Sequence, residues 1–131
     1  RERADFLNYK KRIEREQAQA AQNMTGGIVK KYLVVLDDME RALKHAPEAN
    51  GDVLSWVNGI ELIYRKLQSI LEAEGVQRID ADGQFFDPNL HEAISHEDSP
   101  DHESGQVIEV LQQGYVLGDR VLRPALVRVA R

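Results

Sequence analysis

Cysteine is absent from the 131 residues. Disulfides, zinc–thiolate sites and cysteine catalysis are thereby excluded, and a reducing compartment is compatible with the composition. Proline is sparse: Pro47, Pro88, Pro100 and Pro124 are the four, so everything before Pro47 lacks a built-in helix breaker. No apolar run approaches the ~20 residues of a membrane-spanning helix, and no secretory signal pattern is visible. An excess of positive charge is also missing. The net charge is −5, so bulk attraction to nucleic acid or to an anionic membrane is not expected. The chain opens on Arg1 rather than Met, so it can be a piece of a longer protein, and any upstream targeting segment would lie outside it.

What is present is dominated by one stretch, Arg1 to Ala46. Apolar residues recur along it at helical spacing: Phe6, Tyr9, Ile13, Ala20, Met24, Ile28, Val35, Met39, Ala42 and Ala46. Laid out as an eleven-residue repeat, the stripe is broken at Gln17 and Lys31. The period, near 3.67, implies straight or slightly right-handed packing rather than a left-handed heptad coil. Such a helix would span on the order of 70 Å. No domain built from the remaining residues is wide enough to cover that stripe, and an isolated helix is marginal in water. The simplest cover is a second copy, which makes the stretch a dimerisation rod. The alternative is a kinked pair of helices folding back within one chain at Gly26-Gly27, since each interior glycine costs about 1 kcal/mol relative to alanine. From Tyr32 to Leu43 the apolar face widens, so the helix should pack there on more than one neighbour.

Pro47-Glu48-Ala49-Asn50-Gly51 reads as a loop, and Asp52 as an N-cap. Val53, Trp56, Val57, Ile60, Ile63, Tyr64, Leu67, Ile70 and Leu71 then recur at helical spacing up to a stop at Gly75. A short loop makes the two helices an antiparallel hairpin, and two hairpins make a four-helix bundle. Gly59, inside the second helix, marks either a close approach by another backbone or a tolerated exposed glycine. Beyond Gly75 turn residues alternate with short β-prone runs: Val76–Ile79, Leu90–Ile94, Val107–Leu111, Tyr115–Leu117, Arg120–Leu122 and Leu126–Ala130. Gly118-Asp119 is a two-residue hairpin turn. Pro124 should sit at an edge or a bulge. Glu97 to Glu103 reads as a mobile surface loop. The fold class is α+β, with residues 1–75 forming the helical rod and bundle and residues 76–131 a small all-β domain.

Signals for chemistry are weak. Asp80-Ala81-Asp82-Gly83 resembles part of a calcium loop, but Arg78 and Asn89 would occupy the first and last ligand positions, and both are wrong. His91, His96 and His102 lack metal-site spacing, and neither a phosphate-binding glycine loop nor GxSxG is present. Asp37 and Asp38 are adjacent on a helix, point apart and make a poor acid–base pair. Lys10, Lys11, Arg12 and Arg15 form a basic run beside Phe6 and Tyr9. Those aromatics fall on the apolar seam, so a solvated face or an acidic protein partner suits the run better than nucleic acid. No metal, no cofactor and no enzymatic activity are expected.

Five motifs in order carry a family resemblance. They are Asp5-Phe6-Leu7-Asn8-Tyr9-Lys10-Lys11-Arg12, Leu36-Asp37-Asp38-Met39-Glu40-Arg41-Ala42-Leu43, Gly59-Ile60-Glu61-Leu62-Ile63-Tyr64, Phe86-Asp87-Pro88-Asn89-Leu90-His91-Glu92-Ala93, and the C-terminal run from Gly114 to Ala130. Together they resemble GrpE proteins, the nucleotide exchange factors of DnaK-type chaperones. The resemblance implies a parallel dimer of long unsupercoiled helices, a four-helix bundle and a β domain that opens the chaperone's nucleotide-binding domain so that ADP leaves. It implies no direct nucleotide binding, no nucleic acid and no membrane partner. Bacterial cytosol is the expected location, with an organellar matrix as the alternative. Carried over residue by residue, it implies chaperone contacts at Arg120, Pro88, Phe86, Val129, Arg41, Lys10 and Gly59. The implied dimer contacts are Phe6, Tyr9, Ile13, Met24, Ile28, Val35, Met39, Trp56, Ile60, Ile63 and Leu67. Phe86 and Val129 could equally be β-domain core, and Arg41 could pair with Asp37 or Asp38. The sequence departs from the family at Gly26-Gly27, where better helix formers are expected, and at Gln19, where a basic contact can occur. A heat-sensitive helical region is also implied, with the Gln- and Ala-rich seam from Gln17 to Gln22 the natural place for early unfolding. The competing reading is a dimeric coiled-coil scaffold that binds another protein through its β domain.

Overall fold

The computed structural model describes residues 1–46 and 51–131. The expected loop from Pro47 to Asn50 lies outside the described residues. Helix α1 runs unbroken from Glu2 to Lys44, through Gly26 and Gly27, over on the order of 65 Å. The kinked-pair alternative is therefore overturned. Gly26 is buried because the β domain leans on it: a Cβ there would come within 2.8 Å of Leu122 Cδ2. Gly27 has open space around it. The glycine pair thus makes a notch in the rod rather than a break.

Helix α2 spans Asp52–Ala73. Its N-cap is Gly51, not the expected Asp52, which is the first helical residue and makes no side-chain capping bond. The Asp52 carboxylate still lies at the positive end of the helix dipole. Glu74 is the C-cap, and Gly75 follows with φ +88°, a left-handed conformation that turns the chain into the strands.

Six strands follow, β1 Val76–Arg78, β2 His91–Glu97, β3 Val107–Gln112, β4 Tyr115–Leu117, β5 Arg120–Arg123 and β6 Ala125–Ala130. They form two three-stranded sheets, ordered β1-β4-β5 and β2-β6-β3. The first is antiparallel throughout. In the second, β6 is central, parallel to β2 and antiparallel to β3. Pro124 lies between β5 and β6, where the chain crosses from one sheet to the other and no ladder bond is asked of it. The β4–β5 turn has Gly118 at φ +59° and Asp119 at negative φ, the φ pattern of a II′ hairpin. Glu97, expected in a mobile loop, is instead the last residue of β2, held by Arg128 of β6 and by the Ser95 hydroxyl. The Arg128 guanidinium holds the Glu97 carboxyl down at about 2, with the Ser95 hydrogen bond adding to the effect.

Two apolar cores result. The first joins Val29, Leu33 and Leu36 of α1 and Tyr64 of α2 to Val76, Tyr115, Leu117 and Leu122 of the first sheet. The second lies within the β domain around Ile79, Ala81, Val107, Ala125, Val127 and Val129. A boundary at Gly75 separates helices from strands, but the first core crosses it. In its second half α1 therefore carries two apolar faces. One, at 29, 33 and 36, is buried by the chain itself. The other, at 24, 28 and 35, faces solvent.

Candidate functional site

The exposed seam is the largest feature the sequence pointed to. Phe6, Tyr9, Met24, Ile28, Val35, Trp56 and Ile63 are all exposed in the single chain; Met24 is 70% and Trp56 68% accessible. Ile13 and Ile60 are half-exposed. Met39 and Leu67 are part-buried against the first core, so they serve the chain's own packing as well. Large apolar side chains left open along so much of two helices mark an interaction surface.

The β4–β5 hairpin supplies the second feature. Its tip lies across the middle of α1. Gln22 Nε2 donates to Leu117 O at 2.9 Å, Arg120 donates to Asn23 Oδ1, and Leu122 fills the notch at Gly26. Arg120 is exposed but has this partner on the rod. Gln19, the position lacking a basic residue, hydrogen-bonds Asn23 as well.

The other sequence-derived positions are scattered. Lys10 and Pro88 are exposed, and Gly59 is half-exposed with nothing in the chain within reach of a Cβ. Arg41 is exposed and pairs with Asp38, not Asp37. Phe86 is half-buried, packs on the second core and stacks on His91 at 5.9 Å between ring centroids. Val129 is 2% accessible and lies in the second core. Of its two readings the core one describes its position: an inward residue of a central strand cannot offer its side chain to a partner without the sheet opening.

The histidines do not converge, and no group of three metal-capable side chains occurs among the described residues. His91 is buried, its Nδ1 accepts from the Asp87 N–H at 3.0 Å, and burial pushes its imidazole below the usual value. His102 is paired with the Ser99 hydroxyl at 2.7 Å.

The spacing of the apolar residues did not single out the junction between rod and β domain. Asp37 is bound bidentately by Arg123, whose Nε also donates to Gln113 O. Gln112 donates to Asp37, and Gln113 to Glu40. Tyr64 OH donates to the Glu40 carboxylate and accepts from Gln68 Nε2; burial, with the Glu40 charge adding, pushes its hydroxyl up to about 12. Asp37 looked like one of two divergent surface acids because its cation lies 86 residues away.

These features define a class: proteins built on a long, apolar-striped helix that carries a small two-sheet β head on its flank. The chain belongs to the GrpE family, whose model matches residues 1–131. It is 44% identical over 131 residues to Protein GrpE of Prosthecochloris aestuarii, covering 98% of this chain and 64% of that one. It is 40% identical to Protein GrpE of Chlorobaculum tepidum, covering 100% and 69%. It is 42% identical to Protein GrpE of Geobacillus thermodenitrificans, covering 98% and 58%. The chain thus spans roughly two thirds of the length of the curated relatives it matches.

Proposed function

We propose that two copies of this chain act together as the nucleotide exchange factor of a DnaK-type chaperone. The observation that carries the reading is family membership over all 131 residues. The exposed seam supports the pairing, since a second copy would cover Phe6, Met24, Ile28, Val35 and Trp56 together. In this reading the β head of one subunit wedges against the chaperone's nucleotide-binding domain and holds it open. The factor then binds the open state better and nucleotide the closed state, so the two antagonise each other by linkage. No bond is made or broken and the factor itself holds no nucleotide. The setting is the bacterial cytosol; the relatives named above are bacterial, and no described helix is long and apolar enough to cross a membrane.

The decisive measurement is release of labelled ADP from a DnaK-type chaperone. The protein should accelerate it, and should sediment with the mass of two chains. Arg120→Ala should weaken the acceleration severely. No acceleration by the unaltered protein would sink the reading in favour of a scaffold that binds a different partner.

Heat sensing by the rod belongs to the same proposal. From Glu2 to Ala21 every residue but Ile13 is exposed, so this half of α1 has no support within its own chain. On heating, the helical circular dichroism should show a reversible early loss, before the β head melts. A single late transition would remove this part of the proposal.

A further inference from the structure

Asp37 and Arg123 form an ion pair across the junction of rod and head, at 2.5 and 2.6 Å, with side chains 15% and 13% accessible. Its surroundings fix it from several directions. Arg123 Nε donates to Gln113 O at 2.9 Å, and the guanidinium lies over the Tyr115 ring at 5.4 Å. Gln112 donates to the same carboxylate at 3.2 Å. Arg123 ends the strand that Arg120 begins.

Gln22 to Leu117 O, Arg120 to Asn23 and Gln113 to Glu40 also join rod and head, but each is a single hydrogen bond, whereas the Asp37–Arg123 pair is bidentate and shielded from solvent. Leu117 and Leu122 press on α1 through apolar area, which resists separation but carries little directional information. The covalent link from α2 to β1 runs through Gly75, a residue with unusual backbone freedom. A bidentate guanidinium–carboxylate pair does carry direction. Buried pairs add little net stability compared with well-packed apolar replacements. What this pair supplies is angle.

We propose that the Asp37–Arg123 pair is the orienting lock of the β head on the rod. It sets the attitude at which the Arg120 hairpin is presented, and makes Asp37 and Arg123 positioning residues for work on a partner. The functional half rests on the exchange-factor reading; the geometric half does not.

The test uses the full chain carrying Asp37→Asn, Arg123→Lys, or the apolar double change Asp37→Leu with Arg123→Met. The last leaves no unpaired buried charge, so the head should keep its fold. Because the chain has no cysteine, Lys30→Cys and Asp98→Cys place one spin label on the rod and one on the head. Labelled protein is diluted into unlabelled protein, so that label distances within one chain are read. The unaltered pair should give a narrow distance distribution. All three variants should broaden or shift it, Arg123→Lys included, because lysine keeps the charge and loses the fork. Maximal ADP-release acceleration at saturating factor should fall by roughly ten- to a hundredfold, the upper figure being the cost of a ~1 Å misplacement of a working group. The apolar double variant should show this fall with its head-unfolding midpoint near the unaltered value, which a purely structural role would not produce. Unchanged distances in the folded apolar double variant, or in Arg123→Lys, would overturn the lock. If the unaltered protein fails to accelerate ADP release, the exchange-factor reading falls while the distances still decide the lock.

Discussion

Gly114→Ala is expected to loosen the β head by at least the ~1–3 kcal/mol of an overpacked core. A Cβ at this buried position would stand 2.4 Å from Ala125 N, 2.8 Å from Pro124 C and 2.8 Å from Ile79 Cδ1. Two of those three atoms are backbone, which cannot rotate aside as a side chain does. The displaced segments are the entrance to the central strand β6 and the link between the sheets. Two amide hydrogen bonds report on the site, Ile79 N–H to Gly114 O at 2.8 Å and Ala125 N–H to Leu90 O at 3.0 Å. Hydrogen exchange at both should quicken by about tenfold or more, the range that ~1–2 kcal/mol of lost stability gives. Unchanged protection at both amides would show that the sheets yield more readily than their close approach implies.

Leu33→Ala should be the other large effect, with about 2–5 kcal/mol lost. Leu33 is 0% accessible and sits where α1, α2 and the first sheet share one core. Truncation leaves a cavity that two helices and a sheet would all have to collapse to fill. Val34, one position on, is 59% accessible, and Val34→Ala should stay within about 0.5 kcal/mol. Urea unfolding of both variants at the same protein concentration checks the contrast. Equal losses would mean that burial within the single chain does not govern stability along α1, and that the face at Val34 is covered as firmly as the one at Leu33.

The comparison of Leu33 with Val34 also shows where sequence reading stopped. The seam through Met24, Ile28 and Val35 stood out because it repeats over the whole rod. The second face, Val29, Leu33 and Leu36, repeats for only two turns and was visible only as a widening of the apolar surface. Asp37 was read through its neighbour Asp38, because a cation on β5 leaves no local trace beside a carboxylate on α1. The parallel pairing of β2 with β6 was hidden for the same reason: each segment alternates plausibly, and nothing in either names its partner. Gly26 looked like a weakness in the rod, although its missing side chain is the space that Leu122 occupies.

The amino-acid order by itself determined the extent of both helices, the stop at Gly75, the hairpin at Gly118-Asp119, the approximate strands, and the family through five ordered motifs. These are short-range matters: helical or alternating spacing, a glycine where φ must be positive, a proline where no donor is needed. Tertiary structure alone decided which apolar face of α1 belongs to its own chain, why glycine stands at 26 and 114, that Val129 faces inward, and that Asp37 pairs with Arg123. The physical reason is that each depends on an atom brought close by folding from far along the chain, and spacing within one segment carries no record of what lies opposite it.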